Sequence, residues 1–386
     1  MKIAVIGSKG LPPRQGGIEH HCAEIYPRIV ERGHQVVVFG RSSYSDRSYR
    51  CRRYLYQGVR VVSLPSIPLR GFDALCNSAL AALLASFQGF DIIHFHALGP
   101  SLFTWIPRLI SPGARVVVTC HGLDWQRSKW GKLPSRLIHL GEKAAVRFAH
   151  AIGVVSQDLQ RYLLTTYGRD SVYISNAPAS YVTADTSSEF YRAYGLEPKR
   201  YLLFLGRIVP EKCPDLLIRA FQQLRPEGWK LVLVGGTSDT SSYIHGLKQL
   251  VANDPAIQFT GELHGEQLAD AMRGAGLFVL PSELEGLPLA LLEAMFEGVP
   301  ALASDIPVHR QLLEDGRGLL FQVGNVDNCV SALKWATQNP DVLAYMATQA
   351  QAYVQSHHSW EQITTDWLQV YGHLVGQPAL ASTLKS

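Results

Sequence analysis

Two cations and two carboxylates in the C-terminal half have the types and spacing to hold a phosphorylated ligand. Arg207 and Lys212 stand in the run Gly206-Arg-Ile-Val-Pro-Glu-Lys212, directly after the apolar stretch Tyr201–Leu205. Cations at the carboxyl edge of a parallel sheet can neutralise a diphosphate, a guanidinium through paired N–H donors. There is no Walker A loop and no acidic Mg²⁺ cluster, so a metal-free leaving group is the simpler chemistry. The plain alternative is a pair of solvated surface charges. Further along, Pro281-Ser-Glu283-Leu-Glu285-Gly286-Leu287-Pro288-Leu289-Ala-Leu-Leu-Glu293 follows the apolar run Leu277–Leu280. Pro288 suits a first helical turn, which leaves Glu285 in the loop and Glu293 in the second turn. The Gly286 and Leu287 N–H groups would then face an anion at the helix start. Each carboxylate accepts two hydroxyl donors, as the vicinal diols of a ribose or hexose require. A charged helix cap explains one acid but not three.

The N-terminal half offers glycines and histidines. Gly7 to Gly17 precedes a helical pattern, and adjacent Gly16 and Gly17 let backbone N–H groups approach an anion. The spacing is wrong for a dinucleotide fingerprint, and the second strand ends in Phe39-Gly40-Arg41 without an acid for a ribose, which disfavours NAD. An ordinary glycine-rich turn is the competing reading. His20 and His21 follow the loop, placed to touch acceptor or phosphate. His94 and His96 share one face of the strand Ile92–His96, but no third metal ligand has suitable local spacing; they line an acceptor surface or merely end a strand. His121 follows the strand Arg115–Cys120 and precedes Gly122, at a sheet edge. The alternative for it is a satisfied histidine closing a strand. Ser156 is placed to cap a helix.

These residues need a scaffold that collects strand ends. Short β-branched runs at Lys2–Ile6, Gln35–Phe39, Val59–Ser63, Ile92–His96, Arg115–Cys120, Ala151–Val155 and Val172–Ile174 alternate with helical patterns. A second series runs through Tyr201–Leu205, Lys230–Val234, Ile257–Phe259, Gly276–Leu280, Pro300–Ala303 and Gly318–Leu320. Continuous apolar strands separated by helices mean parallel sheets of βαβ units, so the fold class is α/β with two doubly wound domains. Residues 1–180 form the first and 181–357 the second, with a linker in Asn176–Pro198, and the segment about 358–376 reads as an amphipathic helix. Trp360, Ile363, Trp367, Val370 and Tyr371 form its apolar stripe. Pro27 should kink or shorten the first helix.

Composition narrows the class. The chain has 386 residues, 47% apolar and 18% charged, enough for two cores and too apolar for a disordered chain. The longest mostly apolar stretch, Ala74–Phe87, is shorter than a bilayer span, and the first residues read as a strand and not a signal peptide. Six cysteines without a C-x-x-C pair suit buried free thiols in a reducing compartment. A cytoplasmic protein is expected. Residues 1–185 carry a net +11 and the rest −7. The excess gathers in Arg41–Arg60 and Trp125–Arg136, among tyrosines and tryptophans. Such patches suit an anionic glycan, lipid phosphate or membrane surface; without a nucleic-acid motif, nucleic acid is disfavoured, and a solvated loop surface is the plain reading.

Taken in order, Gly16-Gly17, Thr119-Cys-His121-Gly122, Gly206-Arg207 to Lys212, Val234-Gly235-Gly236, Phe259-Thr-Gly261 and the Glu285/Glu293 pair resemble the retaining glycosyltransferases of family 4, across most of the chain. The resemblance implies the GT-B fold, two Rossmann-like domains facing across a cleft. It implies that Arg207 and Lys212 contact the donor diphosphate, that Glu285 binds donor sugar hydroxyls and that Glu293 binds the ribose. Gly206, Gly235, Gly261, Glu262, Leu263 and Gly286 to Leu289 would line the nucleotide, and His121 would face the donor sugar, completing a catalytic set of Arg207, Lys212, Glu285 and His121. His20, His94, His96 and Trp125 are acceptor-side candidates. The family often has Gly where Cys213 stands and Asn-Gly where Asn176-Ala177 stands.

The implied activity is hexosyl transfer from a nucleotide sugar, UDP-linked before GDP-linked, to a glycan, lipid-linked or glycolipid acceptor in cell-surface polysaccharide or glycolipid synthesis. No cofactor or metal is expected, and peripheral attachment to the inner membrane face is compatible with the basic half. The competing classes are an epimerase or phosphorylase of the same fold and a non-catalytic sugar-nucleotide-binding protein.

Overall fold

The computed structural model describes residues 1–13, 16–44, 53–65, 72–127, 131–179, 181, 189–236 and 241–376. Arg47, Tyr49, Arg50, Arg52, Lys129, Trp130, Ser187 and Ser188, singled out in the basic patches and the linker, lie outside the described residues. The described residues divide into two compact units, 1–126, 131–176 and 359–376 in one, and Arg127 with those of 177–358 in the other.

The strands of the N-terminal unit are β1 (Lys2–Ile6), β2 (Gln35–Arg41), β3 (Arg53–Tyr56), β4 (Val59–Leu64), β5 (Ile92–His96), β6 (Arg115–Cys120), β7 (Ala151–Val154) and β8 (Val172–Tyr173). They are ordered β3-β4-β2-β1-β5-β6-β7-β8. All pairings are parallel except β3 with β4. β3 is a difference from the sequence reading, which placed Arg53, Tyr54 and Tyr56 in a loop. An edge strand needs only one buried face, and this one alternates exposed and half-buried residues. Tyr54 OH donates to the Leu11 carbonyl at 2.5 Å, tying the edge to the loop after β1.

The helix Gly17–Glu31 runs through Pro27 without ending there, and Cys22, Ile25, Tyr26 and Ile29 are buried along it. Against it packs the C-terminal helix Trp360–Leu374, pinned by Arg28 and Arg32 to Glu361 at 3.1 and 2.6 Å. Its buried stripe is Trp360, Ile363, Thr364, Trp367, Leu368 and Tyr371, with Val370 at the margin. Trp367 lies over Gly153 of β7, where a Cβ would stand 2.3 Å from the indole edge, so only glycine admits the ring.

The C-terminal unit is built on β9 (Tyr201–Leu205), β10 (Lys230–Val234), β11 (Ile257–Gly261), β12 (Leu277–Leu280), β13 (Ala301–Ser304) and β14 (Leu319–Phe321). Their order, β11-β10-β9-β12-β13-β14, is the doubly wound 3-2-1-4-5-6 arrangement. The strand order reverses between β9 and β12, which run parallel, so the loops leaving those two strands turn to opposite faces of the sheet, as at the switch point where such sheets take ligands. Within the expected linker, Glu189–Tyr194 forms a short helix anchored by buried Phe190. Among the described residues Cys22, Cys76, Cys120, Cys213 and Cys329 are free thiols; Cys76 is exposed, so burial does not extend to every cysteine. No helix of the described residues is long and apolar enough to cross a membrane.

Candidate active site

In the C-terminal unit the predicted donor residues converge from four strand ends. After β9, Gly206 N donates to Val234 O at 3.0 Å and Ile208 N to Gly236 O at 3.1 Å; Gly235 N donates to Gly261 O at 2.9 Å. The loops following β9, β10 and β11 are therefore laced backbone to backbone. The packing leaves no room for a side chain at Gly235, where a Cβ would stand 1.8 Å from the Gly206 carbonyl oxygen at a φ of +152°. A Cβ at Gly236 would meet the Glu262 carboxylate at 1.7 Å, the movable end of a side chain, so this position is constrained less than Gly235. Leu263 is buried beneath this edge.

Lys212 reaches across to the loop after β12. Its Nζ sits 2.6 Å from Glu285 Oε1, both side chains largely buried at 14% and 12% exposure. Ser282 Oγ donates to the same carboxylate oxygen at 2.8 Å. Burial pushes the Glu285 carboxyl up, but the Lys212 ammonium, with help from His309 and Ser282, outweighs it and holds the group below the usual carboxylate range. The two residues given separate ligands by the sequence are thus partners of each other, and a bound diphosphate would have to share Lys212 with Glu285. Arg207 lies half-buried on the same loop. Gly286, Leu287 and Pro288 are buried ahead of the helix Leu289–Phe296, and Glu293 falls in its second turn. Glu293 Oε2 accepts from Tyr181 OH at 2.7 Å. Burial raises the Glu293 carboxyl above its ordinary value, against hydrogen bonds from Tyr181 and the Ala179 N–H.

Sequence reasoning missed Tyr181 and His309. Tyr181 lies in an aperiodic segment that carries no signal of its partner. His309, fully buried, holds its Nδ1 at 2.9 Å from the Ser304 carbonyl, while Ser304 Oγ donates to the Ser282 carbonyl beneath Glu285. Desolvation lowers the imidazole to about 4, so it is neutral beside the carboxylate at pH 7. Cys213 adopts φ +48°, a left-handed turn that glycine enters more readily than cysteine.

The N-terminal unit treats its residues differently. Glu19, also missed, folds back over the glycine loop: it accepts from Lys9 N at 3.0 Å and lies 2.4 Å from a would-be Cβ of Gly16. Part of the anion-attracting helix start before Gly17 is therefore occupied by the chain's own carboxylate. His20 is exposed on the helix. His94 and His96 do not line an acceptor surface. Both are fully buried, because β5 is covered on both faces. His94 contacts Tyr371 OH at 2.6 Å, Thr119 Oγ1 at 2.7 Å and Tyr26 OH at 3.1 Å. His96 joins Tyr26 OH at 2.6 Å to His121 Nε2 at 3.0 Å. Trp125 is half-buried, and its N–H donates at 2.9 Å to Glu142, a fully buried carboxylate also bound by Tyr162 and Tyr167. His121 is half-buried after β6. Ser156 caps its helix through Leu159 N.

The family model for glycosyl transferases group 1 matches residues 188–353, and that for glycosyltransferase family 4 matches residues 15–177. The D-inositol 3-phosphate glycosyltransferase of Gordonia bronchialis is 26% identical, over 92% of this chain and 83% of the relative. The GDP-mannose-dependent alpha-(1-6)-phosphatidylinositol monomannoside mannosyltransferase of Mycobacterium tuberculosis is 26% identical, over 94% and 96%. In fold, the chain is similar to the sucrose-phosphate synthase of Thermosynechococcus elongatus, with a TM-score of 0.83 at 22% identity over 97% of this chain and 99% of that one. It is also similar to Anabaena HepE crystallised with UDP and glucose, with a TM-score of 0.78 at 20% identity over 97% and 100%. Two doubly wound units, the cation–carboxylate loops at the second unit's switch point and both family matches identify the chain as a nucleotide-sugar-dependent glycosyltransferase of group 1, family 4, with the GT-B fold.

Proposed function

We propose that the chain transfers a hexosyl group from a nucleotide sugar, with retention of anomeric configuration and without a metal ion at the diphosphate, to a hydroxyl of a glycan, lipid-linked or glycolipid acceptor. The observation that carries this reading is the Lys212–Glu285 pair at 2.6 Å, on the loops leaving β9 and β12. As the bond from the anomeric carbon to phosphate oxygen breaks, its electron pair stays on the diphosphate, and Arg207 and Lys212 supply preorganised positive charge there. The anomeric carbon becomes oxocarbenium-like. The acceptor oxygen bonds to it from the leaving-group side, and the acceptor proton passes to the departing phosphate oxygen. No carboxylate nucleophile is needed, so Glu285, kept ionised by Lys212, positions sugar hydroxyls. Glu293 positions the ribose, with Tyr181 fixing its orientation.

A UDP-sugar is the favoured donor, supported by the similarity to HepE, and a GDP-sugar is the second candidate, supported by the mannosyltransferase relative. The net positive N-terminal half supports an anionic acceptor and attachment to the inner membrane face. The test is a melting-temperature screen with UDP-, GDP- and ADP-sugars, followed by turnover in chelator and NMR of the product anomer. A stabilising donor, chelator-insensitive turnover and a retained anomer are expected. Inversion or a chelator-abolished rate would overturn the mechanism. Vesicle binding should weaken steeply with salt if the basic half meets anionic lipid.

A further inference from the structure

Three imidazoles that the chain keeps far apart meet inside the N-terminal unit. His21 comes from the helix Gly17–Glu31, His96 from the end of β5 and His121 from just beyond β6, and a ring nitrogen from each lies within 4.8 Å of the other two. We propose that His21 Nε2, His96 Nδ1 and His121 Nε2 form a binding site, within the N-terminal unit, for one divalent transition-metal ion of the zinc class.

The tautomer of His21 is the first argument. Its Nδ1 lies 2.7 Å from Asn176 Oδ1, a carbonyl that can only accept, so Nδ1 carries the proton and Nε2 presents a lone pair. That Nε2 is fully buried and has no hydrogen-bond partner. A buried acceptor without a partner is costly, and a metal ion is the ligand that a lone pair facing two further imidazoles would satisfy. The second argument is support from behind. Metal-binding histidines fix the other ring nitrogen on a protein oxygen, and here Asn176 does so for His21 and Tyr26 OH for His96, at 2.6 Å.

Geometry is the third. Nitrogens about 2.0–2.1 Å from a tetrahedral ion stand roughly 3.3–3.4 Å apart. His96 Nδ1 and His121 Nε2 are 3.0 Å apart. The ring centroids form a nearly equilateral triangle, with sides of 5.1 Å from His21 to His121, 5.3 Å from His96 to His121 and 5.4 Å from His21 to His96. Three rings around a common centre give that figure. Burial keeps His21 and His96 unprotonated at neutral pH, as metal ligands must be. An all-imidazole set selects zinc, copper or nickel over the oxygen-seeking Mg²⁺ and Ca²⁺. His121, half-buried where the other two are closed, marks the entry side and the position of a fourth, exchangeable ligand.

The experiment is titration of the full chain, stripped of metal by chelator, with Zn²⁺ against a chromogenic competitor and with Co²⁺ by visible absorption. The expected result is one equivalent bound, the intense d–d bands of a four-coordinate Co²⁺ site and a melting temperature raised by Zn²⁺. Affinity should fall at least ten-fold in His21→Gln and in His96→Gln, and stay unchanged in His20→Gln, whose ring is exposed on the same helix. If a buried variant fails to fold by circular dichroism, the wild-type Co²⁺ spectrum decides alone. A six-coordinate aqua-like spectrum, or binding equal in wild type and folded His21→Gln, would overturn the site.

Discussion

The two units place their polar side chains at equivalent sheet edges and treat charge in opposite ways. At the end of β9 the C-terminal unit keeps an ion pair, Lys212 with Glu285, each retaining more than a tenth of its surface exposed. At the end of β5 the N-terminal unit buries His94 and His96 completely and keeps them neutral. Desolvation disfavours the charged form in both, but only in the first does a partner overcome it. In the proposed mechanism the first region meets a diphosphate, and its cations stay available for it. A region that must hold a C-terminal helix against a sheet uses uncharged rings that hydrogen-bond without a counter-ion.

The contrast can be broken by removing one side at a time. Trp367 stacks near His94, with ring centroids 4.7 Å apart, and is fully buried. Trp367→Ala should cost about 3–5 kcal/mol of stability. Urea unfolding measures it, and a loss below 1 kcal/mol would deny the helix its role in the neutral region. Arg207→Ala should lower kcat by roughly 10²–10³-fold, as expected for losing one preorganised group facing developing charge, while the melting temperature without donor barely moves. Turnover at the wild-type rate would show that the cationic edge is not catalytic.

Acid sharpens the comparison because the two regions titrate in different windows. His21 falls from 6.5 unfolded to about 4 folded, so the unfolded chain binds its proton first. Its contribution is intact above pH 6.5 and is lost as pH drops toward 4, about 3 kcal/mol in all at 1.36 kcal/mol per unit. Glu285 is also depressed when folded, so its contribution is present above its ordinary value of 4.5 and vanishes only as pH falls below that through the folded value. Stability against pH should therefore be flatter between 6.5 and 4 in His21→Gln, and flatter only below 4.5 in Glu285→Gln. Identical profiles for the two variants would contradict the assignment. The smallest effect concerns the turn beside the ion pair. Cys213→Gly relieves a left-handed φ of +48° but removes a buried thiol, so stability should shift by less than about 1 kcal/mol in either direction, with turnover preserved.

Much of the fold was legible because each cue was local. The strands β1, β5, β6, β9 and β10 stand where unbroken apolar runs place them. The failures have a shared cause. β3 is half-exposed and short, and in the helix Pro340–His357, also unanticipated, the buried positions Leu343, Ala347, Ala350 and Val354 keep helical spacing, but two of the four are alanines, so the apolar signal is faint. His94 and His96 were read as facing a ligand because polar residues at strand ends usually do. Nothing in their own segment reveals that Tyr26, Thr119 and Tyr371 wait to receive them.

By itself the sequence determined which residues end up at strand ends, since alternating apolar runs and helical patterns dictate where parallel strands stop. That alone puts Arg207, Lys212 and Glu285 on loops at carboxyl edges. The tertiary structure alone decided who meets whom. Lys212 and Glu285 are 73 residues apart, and they touch because β12 docks beside β9 in the sheet order. His21 finds Asn176 across 155 residues. Such pairings depend on chain crossovers and burial, which are global properties, whereas the chemistry each side chain brings to them is written in its own residue type.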